Sequence, residues 1–128
     1  MGEGRPDVGT IGWHDLTVTD AEGLADFYRD VVGWRTEPVG MDGYDDFNMV
    51  APGSGEPVAG VCHARGPNAD LPSQWLIYFV VADLDAALTA CAGGGGEIMS
   101  EPRGLAGGRF AVIRDPAGAV CALWQSAD

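Results

Sequence analysis

Residues 13–33 read WHDLTVTDAEGLADFYRDVVG, and residues 76–96 read LIYFVVADLDAALTACAGGGG. The two stretches lie 63 residues apart, close to half of the 128-residue chain. This offset superposes Asp20 on Asp83 and Gly33 on Gly96. Each stretch carries a strand-like run, an acidic residue, an amphipathic run and glycine, in that order. Identity between them is low. The shared order of elements is the signal, and a repeat of this kind decides the fold.

Working outward, a strand is predicted over residues 10–17, where Leu16 and Val18 alternate with Asp15, Thr17 and Thr19. A helix follows over 20–32, with Thr19 and Glu22 spaced as a capping box. Leu24, Phe27, Tyr28 and Val31 fall on one apolar stripe, and Gly33 is placed to end the helix in a left-handed conformation. Three strands are predicted over 34–39, 44–50 and 57–63, with MDG and APGSGE as the turns between them. Residues 64–74, rich in Gly, Pro and polar side chains, read as a linker.

The second half begins with a strand over 75–81. Asp83 can then cap a helix whose stripe is Leu84, Ala87, Leu88 and Cys91. Gly93 to Gly96 stop that helix. Strands over 97–100, 109–114 and 119–124 complete the set, the last two joined by the tight-turn sequence DPAG at 115–118. Each half is therefore β-α-β-β-β. The expected fold is α+β: two tandem βαβββ modules, about 10–63 and 75–125, in one domain whose curved mixed sheet surrounds a cavity.

Composition narrows the function classes. The net charge is −12, and all seven basic residues are arginine. Nucleic acid and anionic membranes need clustered positive charge, so neither is an expected partner. Schiff-base chemistry needs a lysine amine, which the chain lacks. No apolar run reaches the roughly 20 residues that span a bilayer, and the first ten residues do not resemble a secretory signal. The Met-Gly start meets Pro6 where a myristoylation motif wants Ser or Thr. Three cysteines, Cys62, Cys91 and Cys121, form an odd set whose spacing matches no zinc pattern. They read as free, buried thiols in a reducing, cytoplasmic setting.

The chain resembles the vicinal oxygen chelate superfamily, which holds glyoxalases, bleomycin-resistance proteins and ring-cleaving dioxygenases. The resemblance rests on the paired modules, on WHDLTVTD at 13–20 leading to FY at 27–28, and on VGW at 32–34. In the second half it rests on YFVVADLDAA at 78–87, the glycine run, and GRFAVIRDPAGAV at 108–120. It implies the fold far more than the activity, because one fold hosts many chemistries. The resemblance also implies a divalent metal held from the first and last strand of each module. Carried onto this chain, those positions are Trp13, Leu76, Ala122 and, near the end of the first module, Gly60. Indole, isobutyl, methyl and hydrogen offer a cation no lone pair, so no metal or other cofactor is expected. His14 shares the parity of Leu16 and Val18 and is not expected to replace a ligand.

Strand alternation nominates the residues that face away from the helices. These are Trp13 and Asp15 on the first strand, Asp46 and Asn48 on the third, Tyr78 on the fifth, Trp124 on the last, and Arg109. Aromatic rings with a few polar anchors suit a planar or cationic organic molecule. A carboxylate on such a face must have a partner or a ligand, and for Asp15 the structural partner to consider is Arg109 or another arginine. The expected function is therefore small-molecule binding in an aromatic, acidic cavity by a homodimer lacking the usual metal ligands. The alternative is a metal-dependent or acid/base lyase, isomerase or dioxygenase of the same superfamily.

Overall fold

The computed structural model describes residues 6–127, so the Met-Gly start lies outside the described residues. The chain divides into two compact units: His14–Trp75, and a second in which the stretch up to Trp13 joins Leu76 onward. In chain order the elements are β1 (Ile11–Val18), α1 (Ala21–Val32), β2 (Arg35–Gly40), β3 (Asp45–Val50) and β4 (Pro57–His63). There follow β5 (Trp75–Val80), α2 (Leu84–Gly93), β6 (Glu97–Ile98), β7 (Arg103–Leu105), β8 (Gly108–Arg114) and β9 (Val120–Ser126). The 64–74 linker contains a single 3-10 turn at Gly66–Asn68.

In the N-terminal unit the strands run in the order β2-β3-β4-β1, with β1 parallel to β4 and the other neighbours antiparallel. The C-terminal unit repeats this connectivity as β6-β8-β9-β5, with β5 parallel to β9 and the short β7 also paired to β8. The fold is α+β, built from two βαβββ modules with mixed sheets. The residues just before β1 belong to the C-terminal unit. There the Gly9 N–H donates to the Val80 carbonyl at 2.8 Å, and the Val80 N–H donates to the Thr10 carbonyl at 2.9 Å.

α1 packs on its sheet through Ala21, Leu24, Ala25 and Tyr28, against Leu16, Val18, Met49, Ala59 and Val61. The predicted stripe is therefore rotated: Phe27 and Val31 are 53% and 63% exposed. The two alanines are the reason, since a methyl group lets the helix backbone approach the sheet more closely than a phenyl ring can. The helix cap is also corrected by one residue. Asp20, not Thr19, is the N-cap, and its Oδ1 accepts the Gly23 N–H at 2.9 Å. A Cβ at residue 23 would collide with that carboxylate, so glycine there admits the cap. Gly33 ends α1 at φ 87°, as expected.

α2 follows its prediction more closely. Asp83 caps it, and Leu84, Ala87, Leu88 and Cys91 face Ala111, Ile113 and Leu123. The Gln125 side-chain carbonyl reaches the Leu84 N–H at 2.6 Å, satisfying a further donor of the first turn. In the DPAG turn, Asp115 Oδ1 accepts the N–H groups of Ala117 and Ala119, each at 2.9 Å.

The β7–β8 hairpin was not expected. Its two-residue turn places Ala106 and Gly107 at φ 51° and 79°, both left-handed, the geometry of a type I′ turn. Such turns usually announce themselves as Asn-Gly or Gly-Gly. An alanine in the strained first position hides this one.

Replacing Asp20 by Ala is expected to lower unfolding stability by about 1 kcal/mol through loss of the α1 cap. Urea denaturation checks it. An unchanged midpoint would show that the carboxylate contributes nothing to the helix.

Candidate functional site

Leu16 and Val18 turn toward α1, which puts Asp15 and Thr17 on the face of the N-terminal sheet that the helix leaves uncovered. Register extends that face across the strands. Asp15 lies opposite Gly60, which in turn lies opposite Asn48. Gly60 contributes no side chain, so the row holds a carboxylate and a carboxamide two strands apart with a notch between them. Strand spacing makes that separation roughly 10 Å at the backbone. In the next row Thr17 lies opposite Cys62.

Asp46 is on the same face of β3, and both carboxylates are buried, Asp15 at 7% and Asp46 at 8% exposure. His63 makes two contacts with Asp46. The His63 backbone N–H donates to Oδ1 at 2.9 Å, and the His63 Nδ1 lies 3.3 Å from the same oxygen. The imidazole packs edge-on against Tyr44, with ring centres 5.4 Å apart, while the Arg65 guanidinium covers the Tyr44 ring at 4.1 Å. His63 also lines an open groove of about 560 Å³ with Glu22, Asp26, Pro38, Tyr44, Asp45 and Phe47. The sequence offered His63 no partner. The contact arises because β4 ends beside β3, which no spacing along the chain reveals.

Cys62 sits between the carboxylates. Burial, followed by the charges of Asp15 and Asp46 and a hydrogen bond to Asp46, pushes its thiol far above the ordinary value. The thiolate, which is the nucleophile and metal-binding form, is thereby suppressed. Cys121 is raised in the same direction by burial and by Asp115. All three cysteines are free thiols, and each is only partly buried.

In the C-terminal unit, Tyr78 and Trp124 share the helix-free face and are each 3% exposed. Tyr78 packs against Phe110 at 5.6 Å between ring centres, and the Trp124 indole N–H donates to the Leu105 carbonyl at 2.8 Å. Trp13 is half-buried and lies with this unit. Arg109 does not join this face. It is paired with Gln125 in the β8–β9 ladder and reaches the Asp85 carboxylate on α2 at 3.3 Å, so it belongs to the helix side and to the surface. The reason is parity: Arg109 is two residues from Ala111, which packs under α2. The residue of this region that does share the face of Phe110 is Arg103, its direct cross-strand neighbour.

The positions that the family resemblance assigns to a metal hold Trp13, Leu76, Gly60 and Ala122, which carry no donor atoms suited to a cation. Among the described residues no three His, Cys, Asp or Glu side chains converge as a ligand set. The residues present do not fit the family's metal. No helix among them is long and apolar enough to cross a membrane.

Comparison with known proteins agrees with the fold and the sequence pattern. The family model described as Glyoxalase/Bleomycin resistance protein/Dioxygenase superfamily matches residues 10–123, and the chain belongs to that superfamily. It is 35% identical over 133 residues to the anthracycline biosynthesis protein DnrV of Streptomyces peucetius, covering 91% of this chain and 47% of that one. It is 33% identical over 133 residues to the anthracycline biosynthesis protein DauV of Streptomyces sp. strain C5, with the same coverage of 91% and 47%. The chain thus spans about half the length of these curated relatives. Among solved structures, it resembles a Streptomyces coelicolor methylmalonyl-CoA epimerase in complex with 2-nitronate-propionyl-CoA. That match has TM-score 0.60 and 21% identity, covering 94% of this chain and 96% of the epimerase. A Mn(II)-bound glyoxalase from Novosphingobium aromaticivorans matches with TM-score 0.59 and 23% identity, over 94% of this chain and 40% of the glyoxalase. At these identities the two structures establish the fold alone.

The raised Cys62 thiol gives a pH dependence of definite sign. Below the ordinary thiol value of 9.0, both folded and unfolded chains keep the proton, and the group's contribution to stability is fully present. As pH rises above that value the unfolded chain releases the proton first, and stability falls by up to about 1.4 kcal/mol per pH unit. Urea midpoints between pH 8 and 10.5 are expected to drop less steeply for Cys62→Ala than for the parent. Identical slopes would show that Cys62 ionises equally well in both states.

Proposed function

We propose that the chain binds a small organic cation on the helix-free face of its N-terminal module, without the superfamily's usual metal. Asp15 and Asp46 supply negative charge, and Asn48 supplies hydrogen bonds across the Gly60 notch. The observation that carries this reading is the burial of two carboxylates on one sheet face, within a chain of net charge −12. The fixed position of Asp46 on His63 supports a preformed site.

The relatives named for anthracycline biosynthesis make a planar polycyclic amine the first probe to use. Doxorubicin is expected to bind saturably, read by quenching of its fluorescence. Asp15→Asn should weaken binding by about 1.5–3 kcal/mol while leaving the melting temperature close to that of the parent. Asn keeps the shape and loses the charge. Absence of saturable binding, or equal affinity in Asp15→Asn, would sink the reading. A large drop in melting temperature would assign Asp15 a structural role instead.

The same reading takes the protein as a homodimer. β2 is an edge strand of the N-terminal unit, bonded only to β3 within it, and five of its six residues are exposed. Exposed edges invite pairing between copies. Light scattering at micromolar concentration is expected to give twice the chain mass, and a monomer would refute it.

A further inference from the structure

The open groove of about 560 Å³ between α1 and the β2–β3 hairpin lies on the helix side of the N-terminal sheet, away from Asp15. Phe47 lines it and also packs against the core beneath α1. Pro38, its cross-strand partner on β2, extends the apolar surface. Tyr44 and His63 add two rings packed edge to face, 5.4 Å between centres. Asp45 stands two residues from Phe47, on the same strand face and opposite Gly40. A Cβ at residue 40 would meet nothing within 4 Å, so the chain leaves open space beside Asp45.

Three carboxylates line this groove, and no arginine does. Glu22 and Asp26 come from α1, one helical turn apart, and Asp45 comes from the start of β3. Like charges at that helical spacing repel. Asp26 is met by Arg29 at 3.1 Å. Glu22 and Asp45 form no ion pair among the described residues. The nearby Arg65 stacks on the Tyr44 ring at 4.1 Å and reaches neither of them. The groove thus presents uncompensated negative charge from two different elements, together with apolar side chains. Its volume is that of a small-molecule site. A compact cation would meet only one of the two carboxylate groups. An extended cation, with charges spaced by methylene groups, can meet both and still cover the apolar side chains.

We propose that this groove binds a linear aliphatic polyamine. Its ammonium groups pair with Glu22 and Asp45, and its methylene chain lies over Phe47 and Pro38. The site uses neither Asp15 nor Asn48 and lies on the other side of the sheet from them. It can therefore fail without the reading of the helix-free face, and the reverse holds too.

The test is calorimetric titration with spermidine at physiological ionic strength. Spermidine is expected to saturate one site per chain. Hexaamminecobalt(III), of like charge but without methylene groups, should bind roughly tenfold or more weakly. Glu22→Gln and Asp45→Asn should each weaken spermidine roughly threefold, and the double variant roughly tenfold. Both side chains are exposed, so the variants are expected to melt as the parent does. Glu101→Gln removes the same charge from an exposed position in the C-terminal unit, and Asp15→Asn removes it from the helix-free face. Each should change spermidine affinity by less than about twofold. The proposal is overturned by absence of saturation, by equal affinity for hexaamminecobalt(III), or by unchanged affinity in the double variant. A loss in Glu101→Gln or Asp15→Asn as large as in Glu22→Gln overturns it too. Tighter binding of trilysine than of spermidine would assign the groove to a basic protein segment and overturn it as well.

Discussion

A helix can cover only one face of the sheet it crosses, and a strand must send every second side chain to the other face. In both modules this constraint fixes what the remaining residues can do. Leu16, Val18 and Met49 are committed to α1, and Ala111, Ile113 and Leu123 to α2. Asp15, Asp46, Tyr78, Phe110 and Trp124 are thereby sent to the opposite faces, where they are buried without help from their own helix. The proposed binding chemistry of Asp15 and Asp46 falls on those faces, because the helix-side positions are spent on packing.

The two uncovered faces differ in character. The N-terminal one is acidic: Asp15 and Asp46 flank Cys62, and burial, reinforced by their charges, favours its protonated thiol. Asp46 is tied to His63 by two contacts, so its position is set by the end of β4. The C-terminal face is aromatic and carries a cation, Arg103, stacked on Phe110. A repeat that duplicated the backbone has therefore not duplicated the chemistry. Side chains on a face free of helix packing can diverge at little cost to the fold, which is how one architecture carries many functions.

Much of the backbone was legible in the chain. The alternation in β1 and the Gly33 and Asp83 caps needed only local chemistry, as did the α2 stripe and the DPAG turn. The misreadings are equally local in cause. Helical spacing puts Leu24, Phe27, Tyr28 and Val31 on one apolar stripe, whereas the buried face runs through Ala21 and Ala25, with Leu24 and Tyr28 beside them, because the alanines are small. β7 escaped notice because Ala106 occupies a turn position where glycine or asparagine is the usual sign.

The sequence by itself determined the two-module plan, the parity of Asp15, Asp46, Asn48, Tyr78 and Trp124, and the lack of donor atoms at the family's metal positions. These follow from periodicity and residue type, which are properties of neighbours along the chain. Tertiary structure alone decided which polar groups meet. It gave Asp46 to His63, 17 residues away, and Arg109 to Asp85, 24 residues away. It also set Arg103 over Phe110 with two buried N–H groups left unmatched among the described residues. Pairing of this kind depends on strand register and on where each strand ends. Those are fixed by the packing of the whole module, and no short stretch of sequence contains them.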